Sequence, residues 1–368
     1  MFDIDLITRR VRTWIQPANL VAAFFLTVFI VLFLLFARSV NPDPSDPHPN
    51  PDHADGAIEV YFSSPDDPAA RTLRGGPDAP LAASIAAAQN SVDIAAYNLD
   101  LWSIRDALLE AYYAGAIVRV VVERANFEEP EIQDLSSAGI EIVPDTSEAL
   151  MHHKFVVVDG WDVWTGSMNF TLNGAYRNDN NLLHLQSSAL AKDYQREFEE
   201  MFEEGRFGRL SRSDTPFPEV QLQSAEVQIY FSPDDGALTG ILRALDHAEE
   251  QILVMAYTLT ADEISDALID ASLFGLDVRV LVEADQIRST GNDFERLRES
   301  GVDVRLDRNP YNMHHKVIVI DGRVVIAGSY NFTRSAEERN DENLIIIMDE
   351  DLASSYLLEF SRLWEAAR

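Results

Sequence analysis

Two short segments of this sequence combine residue types that can act on a phosphate group. The first is MHHKFVVVDGWDVWTGSMNFT, from Met151 to Thr171, and the second is MHHKVIVIDGRVVIAGSYNFT, from Met313 to Thr333. Each places His and Lys two residues apart and then Asp, Gly-Ser and Asn at the same spacing. Lysine and asparagine can hold phosphoryl oxygens, and histidine can act as nucleophile, acid or base near neutral pH. These segments therefore predict a site that binds a phosphate group and acts on it chemically.

Each segment is typical of two strands joined by an Asp-Gly turn. Because side chains alternate between the faces of a strand, His and Lys should share one face, and the second strand should return Gly-Ser-x-Asn to the same end. The candidate site residues are His152, Lys154, Ser167 and Asn169 in the first segment, and His314, Lys316, Ser329 and Asn331 in the second.

Other residues of the two segments favour structural roles. Asp159 and Asp321 precede glycine, as a tight turn requires, so we assign them to the turns. His153 and His315 should face away from the site and pack beneath it. A metal site built on the His-His pairs is disfavoured, because neighbouring side chains diverge on a strand. We expect no metal and no cofactor.

The two segments belong to a longer internal repeat. Ile58-Glu-Val-Tyr-Phe-Ser matches Val227-Gln-Ile-Tyr-Phe-Ser, and GAIVRVVVE from Gly115 matches GLDVRVLVE from Gly275. A repeat this long indicates a duplicated domain, whose halves should pack about a pseudo-two-fold axis. Within each half, Val- and Ile-rich strand patterns alternate with amphipathic helical patterns, which predicts an α/β fold.

We divide the chain into six segments. They are a basic N-terminus (1–19), an apolar segment (20–37), a Pro- and Asp-rich linker (38–57), a first half (58–210), a connector (211–225) and a second half (226–368).

The apolar segment predicts a single membrane-spanning helix. It carries no charge from residue 20 to residue 37, and a spanning helix needs roughly 17–25 residues. A cleaved signal peptide is the alternative, but Ala37-Arg38-Ser39 is a poor cleavage site. Because Arg9 and Arg10 precede the segment, the N-terminus should be cytoplasmic. The catalytic region would then lie outside the plasma membrane.

Composition narrows the classes of partner. The chain has 61 Asp and Glu against 29 Lys and Arg, a net charge of −32. Such a field repels polyanions at long range, and no basic stripe of the kind that grips duplex DNA is visible. There are no cysteines, which excludes disulfides and thiol nucleophiles.

The twin segments resemble the paired HKD motifs of the phospholipase D superfamily, and the resemblance runs from Ile58 to Trp364. It implies two α/β/α halves whose motifs meet at one active site. One histidine would attack phosphorus to give a covalent phosphohistidine, and the other would protonate the leaving alkoxide, without metal. Lys154, Lys316, Asn169 and Asn331 would hold phosphoryl oxygens, assisted by Ser167 and Ser329.

The two copies differ 28 residues past each histidine of the motif. The second half has Asn-Asp-Glu-Asn, the usual pattern of the family, with Glu342 at this position, and the first half has Asn-Asp-Asn-Asn, with Asn180. In relatives an acidic residue here holds the catalytic histidine. We therefore expect Glu342 to orient His314, with His152 facing Asn180. On this basis His314 is predicted to be the nucleophile and His152 the acid, although the usual family assignment favours the N-terminal histidine.

The leading prediction for the substrate is a phospholipid, whose headgroup would be cleaved to leave phosphatidate. A phospholipid membrane is then the expected partner, and no obligate protein partner is implied. A nuclease is the first alternative, because the compact halves resemble the small bacterial nuclease branch, so nucleic acid stays possible. A cardiolipin synthase-like transferase is the second alternative, and a non-enzymatic scaffold is the third.

Overall fold

The computed structural model describes residues 56–367. The predicted membrane helix and almost the whole predicted linker lie outside the described residues. Across residues 56–367, none of the helices has both the length and the apolar character that crossing a membrane requires.

The first half is built on a seven-stranded sheet. Its strands are β1 (Ile58–Phe62), β2 (Ser91–Ala96), β3 (Ile117–Val122), β4 (Glu141–Pro144), β5 (Lys154–Val158), β6 (Asp162–Gly166) and β7 (Asn181–Gln186), in the order β1-β7-β6-β5-β2-β3-β4. Strands β2, β3 and β4 are parallel, and the other pairs are antiparallel. Its helices are α1 (Asp78–Ala86), α2 (Trp102–Ala114), α3 (Pro130–Ala138), α4 (Leu172–Tyr176) and α5 (Ser188–Phe202).

The second half repeats this arrangement in an eight-stranded sheet. Its strands are β8 (Glu219–Gln221), β9 (Glu226–Ser232), β10 (Gln251–Ala256), β11 (Asp277–Val282), β12 (Asp303–Leu306), β13 (Lys316–Ile320), β14 (Val324–Gly328) and β15 (Glu342–Met348), in the order β12-β11-β10-β13-β14-β15-β9-β8. Its helices are α6 (Ala237–Asp246), α7 (Asp262–Leu273), α8 (Phe294–Glu299), α9 (Arg334–Glu338) and α10 (Glu350–Ala366). The matching strand orders confirm the duplicated α/β fold.

The extra strand, β8, differs from the sequence-based expectation. It lies inside the predicted connector (211–225) and pairs antiparallel with β9. Strand β9 is otherwise the edge of its sheet, and an edge strand leaves backbone groups without partners. The end of the connector therefore forms part of the second half.

The two halves share one apolar core. The inner faces of both sheets pack against α5 and α10, which contribute Tyr194 and Phe198, and Tyr356 and Phe360, respectively. Two further cores lie on the outer faces, one under α1 and α2 and the other under α6 and α7. Each sheet is thus covered by helices on both faces, and the shared core fixes the position of one half against the other.

The turn aspartates have the structural role that the sequence predicts. Asp159 adopts a left-handed φ of 53°, and its carboxylate accepts hydrogen bonds from the backbone N–H groups of Gln89, Asn90 and Ser91, at 2.8, 2.6 and 2.9 Å. Asp321 has the same φ and binds the backbone before β10 in the same way. Each aspartate therefore ties its motif hairpin to the neighbouring strand.

Asp159→Ala is expected to lower the free energy of unfolding by about 2–4 kcal/mol, because three charge-assisted hydrogen bonds are lost. Chemical denaturation measures this change. Asp134→Ala is the control, since its exposed ion pair with Arg105 should contribute less than about 1 kcal/mol. Equal losses in the two variants would contradict the role assigned to Asp159.

Candidate active site

Each motif hairpin brings its polar residues to one end, as predicted. Strand β5 begins at Lys154, whose Nζ donates a hydrogen bond of 2.6 Å to the backbone carbonyl of His152. Phe155 pairs with Thr165 on β6, so Gly166 and Ser167 return beside the histidine. Gly166 is required at its position, because its φ is 150° and a Cβ there would lie 2.5 Å from the carbonyl oxygen of Asn181.

The two motifs meet across the boundary between the halves. The backbone N–H of His152 donates to the carbonyl oxygen of Asp341 at 2.9 Å, and that of His314 donates to the carbonyl oxygen of Asp179 at 2.8 Å. The charges of Lys154 and Lys316 both act on each of the two histidines. The structure therefore collects the two His-Lys pairs into a single site.

The predicted partners of the two histidines were wrong. Glu342 Oε2 lies 2.7 Å from Nδ1 of His152, and Oδ1 of Asn180 lies 2.9 Å from Nδ1 of His314. Each motif histidine is thus held by the opposite half. The physical reason is that the segment before each motif histidine forms a short bridge with the other half, Met151 with Asp341 and Met313 with Asp179.

The serines of the motifs lie deeper than expected. Ser167 is fully buried, and its Oγ donates to Oδ1 of Asn180 at 2.9 Å. Ser329 is equally buried and its Oγ accepts from the backbone N–H of Asn343, while its side chain also bonds Glu342. Their hydrogen bonds position the two partners of the histidines. That the serines also donate to the substrate phosphate stays a prediction.

The asparagines of the motifs keep polar groups available. Asn169 and Asn331 are partly exposed, and the Oδ1 atom of each has no hydrogen-bond partner within residues 56–367. Their placement at the histidine end of the hairpins fits the predicted contact with phosphoryl oxygens.

Two tyrosines form walls of the site. The ring centroids of Tyr97 and His152 are 4.8 Å apart, and those of Tyr257 and His314 are 4.6 Å apart. The ammonium group of Lys154 lies 5.0 Å from the Tyr97 ring, a distance at which the ring attracts the cation. Each tyrosine therefore orients both chemical groups of one motif.

Burial shifts the pKa values of the ionisable groups of the site. It lowers the pKa of His152 and of His314 well below the usual range, and the neighbouring lysines lower both further. It also lowers the pKa of Lys154 to about 7, against the attraction of Glu342. In turn, burial raises the pKa of Glu342 to about 7, although Lys154 opposes the change. A phosphate anion entering the site would favour the protonated lysines and histidines.

The second histidine of each motif packs beneath the site, as predicted. His153 and His315 are fully buried, and their Nε2 atoms lie 2.9 Å from Glu197 and 3.2 Å from Glu359, respectively. The two supports differ in charge. In the second half Arg362 bonds Glu359, and it also reaches across to Asp179 of the first half. Glu200 stands at the position of the first half that is equivalent to Arg362.

Sequence reasoning missed Asn181 and Asn343. The side-chain amide of Asn181 lies 3.0 Å from Nδ1 of His315, and that of Asn343 lies 3.3 Å from Nδ1 of His153. Each asparagine therefore links the two halves beneath the site. The signal was present, because both halves end the Asn-Asp-x-Asn pattern with this residue.

Comparison with known proteins gives a family match in each half. The family described as "Cardiolipin synthase, PLD-like domain" matches residues 81–202 and 241–364, which together make up more than half of the chain. A phosphatidylserine synthase from Haemophilus influenzae Rd KW20 has a TM-score of 0.62, over 86% of this chain and 89% of that chain. Its sequence is 13% identical, so this likeness concerns the fold alone.

Two groups of relatives match over a length close to that of one half. A protein named phospholipase D from Rickettsia felis is 39% identical over 137 residues, which is 37% of this chain and 68% of that protein. A mitochondrial cardiolipin hydrolase from Chlamydomonas reinhardtii is 34% identical over 135 residues, 37% of this chain and 60% of that protein. With both motifs gathered in one site and a family match in each half, the chain belongs to the phospholipase D superfamily.

Proposed function

We propose that this phospholipase D-superfamily phosphodiesterase hydrolyses phospholipids through a covalent phosphohistidine, with His152 as the nucleophile and His314 as the general acid. The hydrogen bond of 2.7 Å between Glu342 and His152 carries this proposal. The assignment reverses the one drawn from the sequence, because the same electrostatic argument now applies to the other histidine.

The first step forms a bond between Nε2 of His152 and phosphorus while the bond from phosphorus to the leaving oxygen breaks. A ring that bears phosphorus on Nε2 and hydrogen on Nδ1 is positively charged. A carboxylate at Nδ1 stabilises that charge, as the aspartate does in a Ser-His-Asp triad. His314, held by the neutral amide of Asn180, gives its proton to the leaving alkoxide.

The second step returns the enzyme to its starting state. Water loses a proton to His314 and attacks phosphorus, and the bond to His152 breaks. Lys154, Lys316 and the amides of Asn169 and Asn331 hold the non-bridging oxygens in both steps. These groups would stabilise the charge that develops in the transition state.

Two observations support a lipid substrate. The relatives from Rickettsia felis and Chlamydomonas reinhardtii are named phospholipase D and cardiolipin hydrolase. The net charge of −32 disfavours the approach of a polyanion. We also propose that residues 20–37 anchor the chain in the plasma membrane, with the catalytic region outside, which would hold the site near lipid headgroups.

In the test, the full-length protein is incubated in the presence of EDTA. One sample contains phosphatidylcholine vesicles, and a parallel sample contains single-stranded DNA. We expect choline release without DNA cleavage, and a protein carrying both His152→Ala and His314→Ala serves as the control. Cleavage of DNA alone would discard the lipid substrate in favour of a nuclease. A requirement for added metal would argue against the phosphohistidine mechanism.

A further inference from the structure

One segment of the first half has no counterpart in the second. Residues 63–77 connect β1 to α1, whereas only residues 233–236 connect β9 to α6. The longer segment contains a 3-10 helix, Pro68–Thr72, which is capped at its N-terminus by Asp67. The segment also carries Arg71 and Arg74. It is therefore the main interruption of the pseudo-two-fold symmetry.

This segment forms one wall of a cavity between the two halves. The cavity has a volume of about 360 Å³, and its lining includes Arg71, Leu73, Tyr176, Arg177, Asn309 and Tyr311. A neighbouring cavity of about 530 Å³ shares Tyr176 and adds Arg74. The first cavity is thus lined by residues of both halves, and arginine and tyrosine side chains are among them.

The cavity is locally basic in an acidic protein. The chain has 61 acidic residues, yet in the part that the structure describes no carboxylate forms an ion pair with Arg71, Arg74 or Arg177. The guanidinium of Arg177 lies 5.4 Å from the ring centroid of Tyr311. The carboxylate in the lining, Asp66, pairs with Arg362 at 3.3 Å. The charge of Arg177 acts on the half-buried Asp100, but neither Arg177 nor Arg71 has a carboxylate bonded directly to its guanidinium within the described residues.

The equivalent place on the other side of the axis is filled. Arg339 corresponds to Arg177, since both precede Asn-Asp. There the last residues of the first half cover the surface, with Gly208 against the carbonyl oxygen of Arg339, where a Cβ would lie only 2.7 Å away. Arg209 donates to the backbone of Glu338.

The lining residues also change between the two sides. Tyr176 corresponds to Glu338, and Tyr311, two residues before the Met-His-His-Lys motif, corresponds to Ala149. Pro310 corresponds to Glu148. One side is therefore covered and acidic, while the other is open, basic and aromatic, which is the character of a site for an organic phosphate.

The cavity is tied to the active site. Arg177 is three residues before Asn180, so their Cα atoms lie within about 11 Å of each other. Asn309 donates to the carbonyl oxygen of Arg177 at 2.9 Å and to Oδ2 of Asp179 at 2.7 Å. Its loop therefore joins the wall of the cavity to the segment that holds His314.

We propose that this cavity is a second phosphate-binding subsite, which takes a phosphate of the lipid substrate that is not cleaved. The proposal rests on the proposed function, and it makes a lipid with two phosphates the preferred substrate. Arg71 and Arg177 bind the second phosphate, and Tyr311 holds the guanidinium of Arg177 in place.

The kinetic test compares the full-length protein with the double variant Arg71→Gln/Arg177→Gln on cardiolipin, which carries two phosphates, and on phosphatidylcholine, which carries one. We expect KM for cardiolipin to rise about five- to tenfold with kcat unchanged, and KM for phosphatidylcholine to stay the same. Arg339→Gln is the matched control and should change neither. An equal change with both lipids, or none with cardiolipin, would overturn the proposal.

A third kind of vesicle distinguishes a second phosphate of the same lipid molecule from the phosphate of a neighbouring lipid. Phosphatidylglycerol is mixed with phosphatidylcholine, and only choline release is measured. If the arginine variant slows choline release from these mixed vesicles but not from pure phosphatidylcholine, the bound phosphate belongs to a neighbouring lipid, and the two-phosphate substrate is rejected.

Calorimetric titration with inorganic phosphate tests the subsite without lipid turnover. We expect two phosphates per chain in the unmodified protein and one in Arg71→Gln/Arg177→Gln. The same stoichiometry in both would reject the subsite. Hydrolysis of neither lipid, together with this loss of one phosphate, would reject the proposed function and leave the subsite standing.

Discussion

His152→Ala is expected to reduce turnover by about 10⁴-fold or more, because the atom that attacks phosphorus is removed. His314→Ala should lose about 10²–10⁴-fold with a lipid substrate, since it removes general acid catalysis. The two losses have different causes, so they can be separated with a substrate whose leaving group needs no proton. Bis(p-nitrophenyl) phosphate is such a substrate.

With this substrate His314→Ala should release one p-nitrophenol per enzyme in a rapid burst and then stop, because no base remains to activate water. The remaining p-nitrophenyl phosphoryl group should stay on the protein in an acid-labile, base-stable form. His152→Ala should show neither the burst nor the label. The reverse pattern, with label in His152→Ala alone, would restore the assignment of His314 as the nucleophile.

Glu342→Gln is expected to reduce kcat by about 10²–10⁴-fold with little change in KM. The glutamine keeps the size of the side chain but removes the negative charge beside Nδ1 of His152. That charge stabilises the phosphorylated ring, and the carboxylate also fixes which ring nitrogen carries hydrogen. Steady-state kinetics with cardiolipin and with bis(p-nitrophenyl) phosphate measure the effect.

A variant at Asn180, which contacts the other motif histidine, is the comparison for Glu342→Gln. Asn180→Asp places a carboxylate beside His314, which would raise the pKa of that histidine. The rates at which the intermediate forms and is hydrolysed should both change less in Asn180→Asp than in Glu342→Gln. If Asn180→Asp caused the larger loss, the division of labour between the two histidines would have to be reversed.

The acidic residues beneath the two motif hairpins differ between the halves. Glu197 and Glu200 occupy the first half where Glu359 and Arg362 occupy the second. Burial raises the pKa of Glu197 well above its usual value, and the charge of Glu200 adds to this effect. Arg362 and His315 instead hold the pKa of Glu359 at about 2, against the effect of burial. The supports beneath the two histidines are therefore electrostatically distinct.

Much of this molecule was determined by the sequence alone. The repeated His-x-Lys and Gly-Ser-x-Asn segments predicted two hairpins, because alternation along a strand and a returning second strand are local consequences of backbone geometry. The roles of the aspartates at the turns are equally local. The duplicated α/β fold followed from the same repeat.

The tertiary structure decided which half supplies the partner of each histidine. Glu342 and His314 belong to one copy of the repeat, so the sequence paired them, but the short bridges at Met151 and Met313 place Glu342 against His152. A sequence shows what is near along the chain and within one repeat, whereas contacts across the pseudo-two-fold axis depend on how two similar cores pack. The same packing left the cavity beside Arg177 open, where residues 63–77 form a wall that the second half lacks. It covered the counterpart at Arg339, because Gly208 and Arg209 pack there.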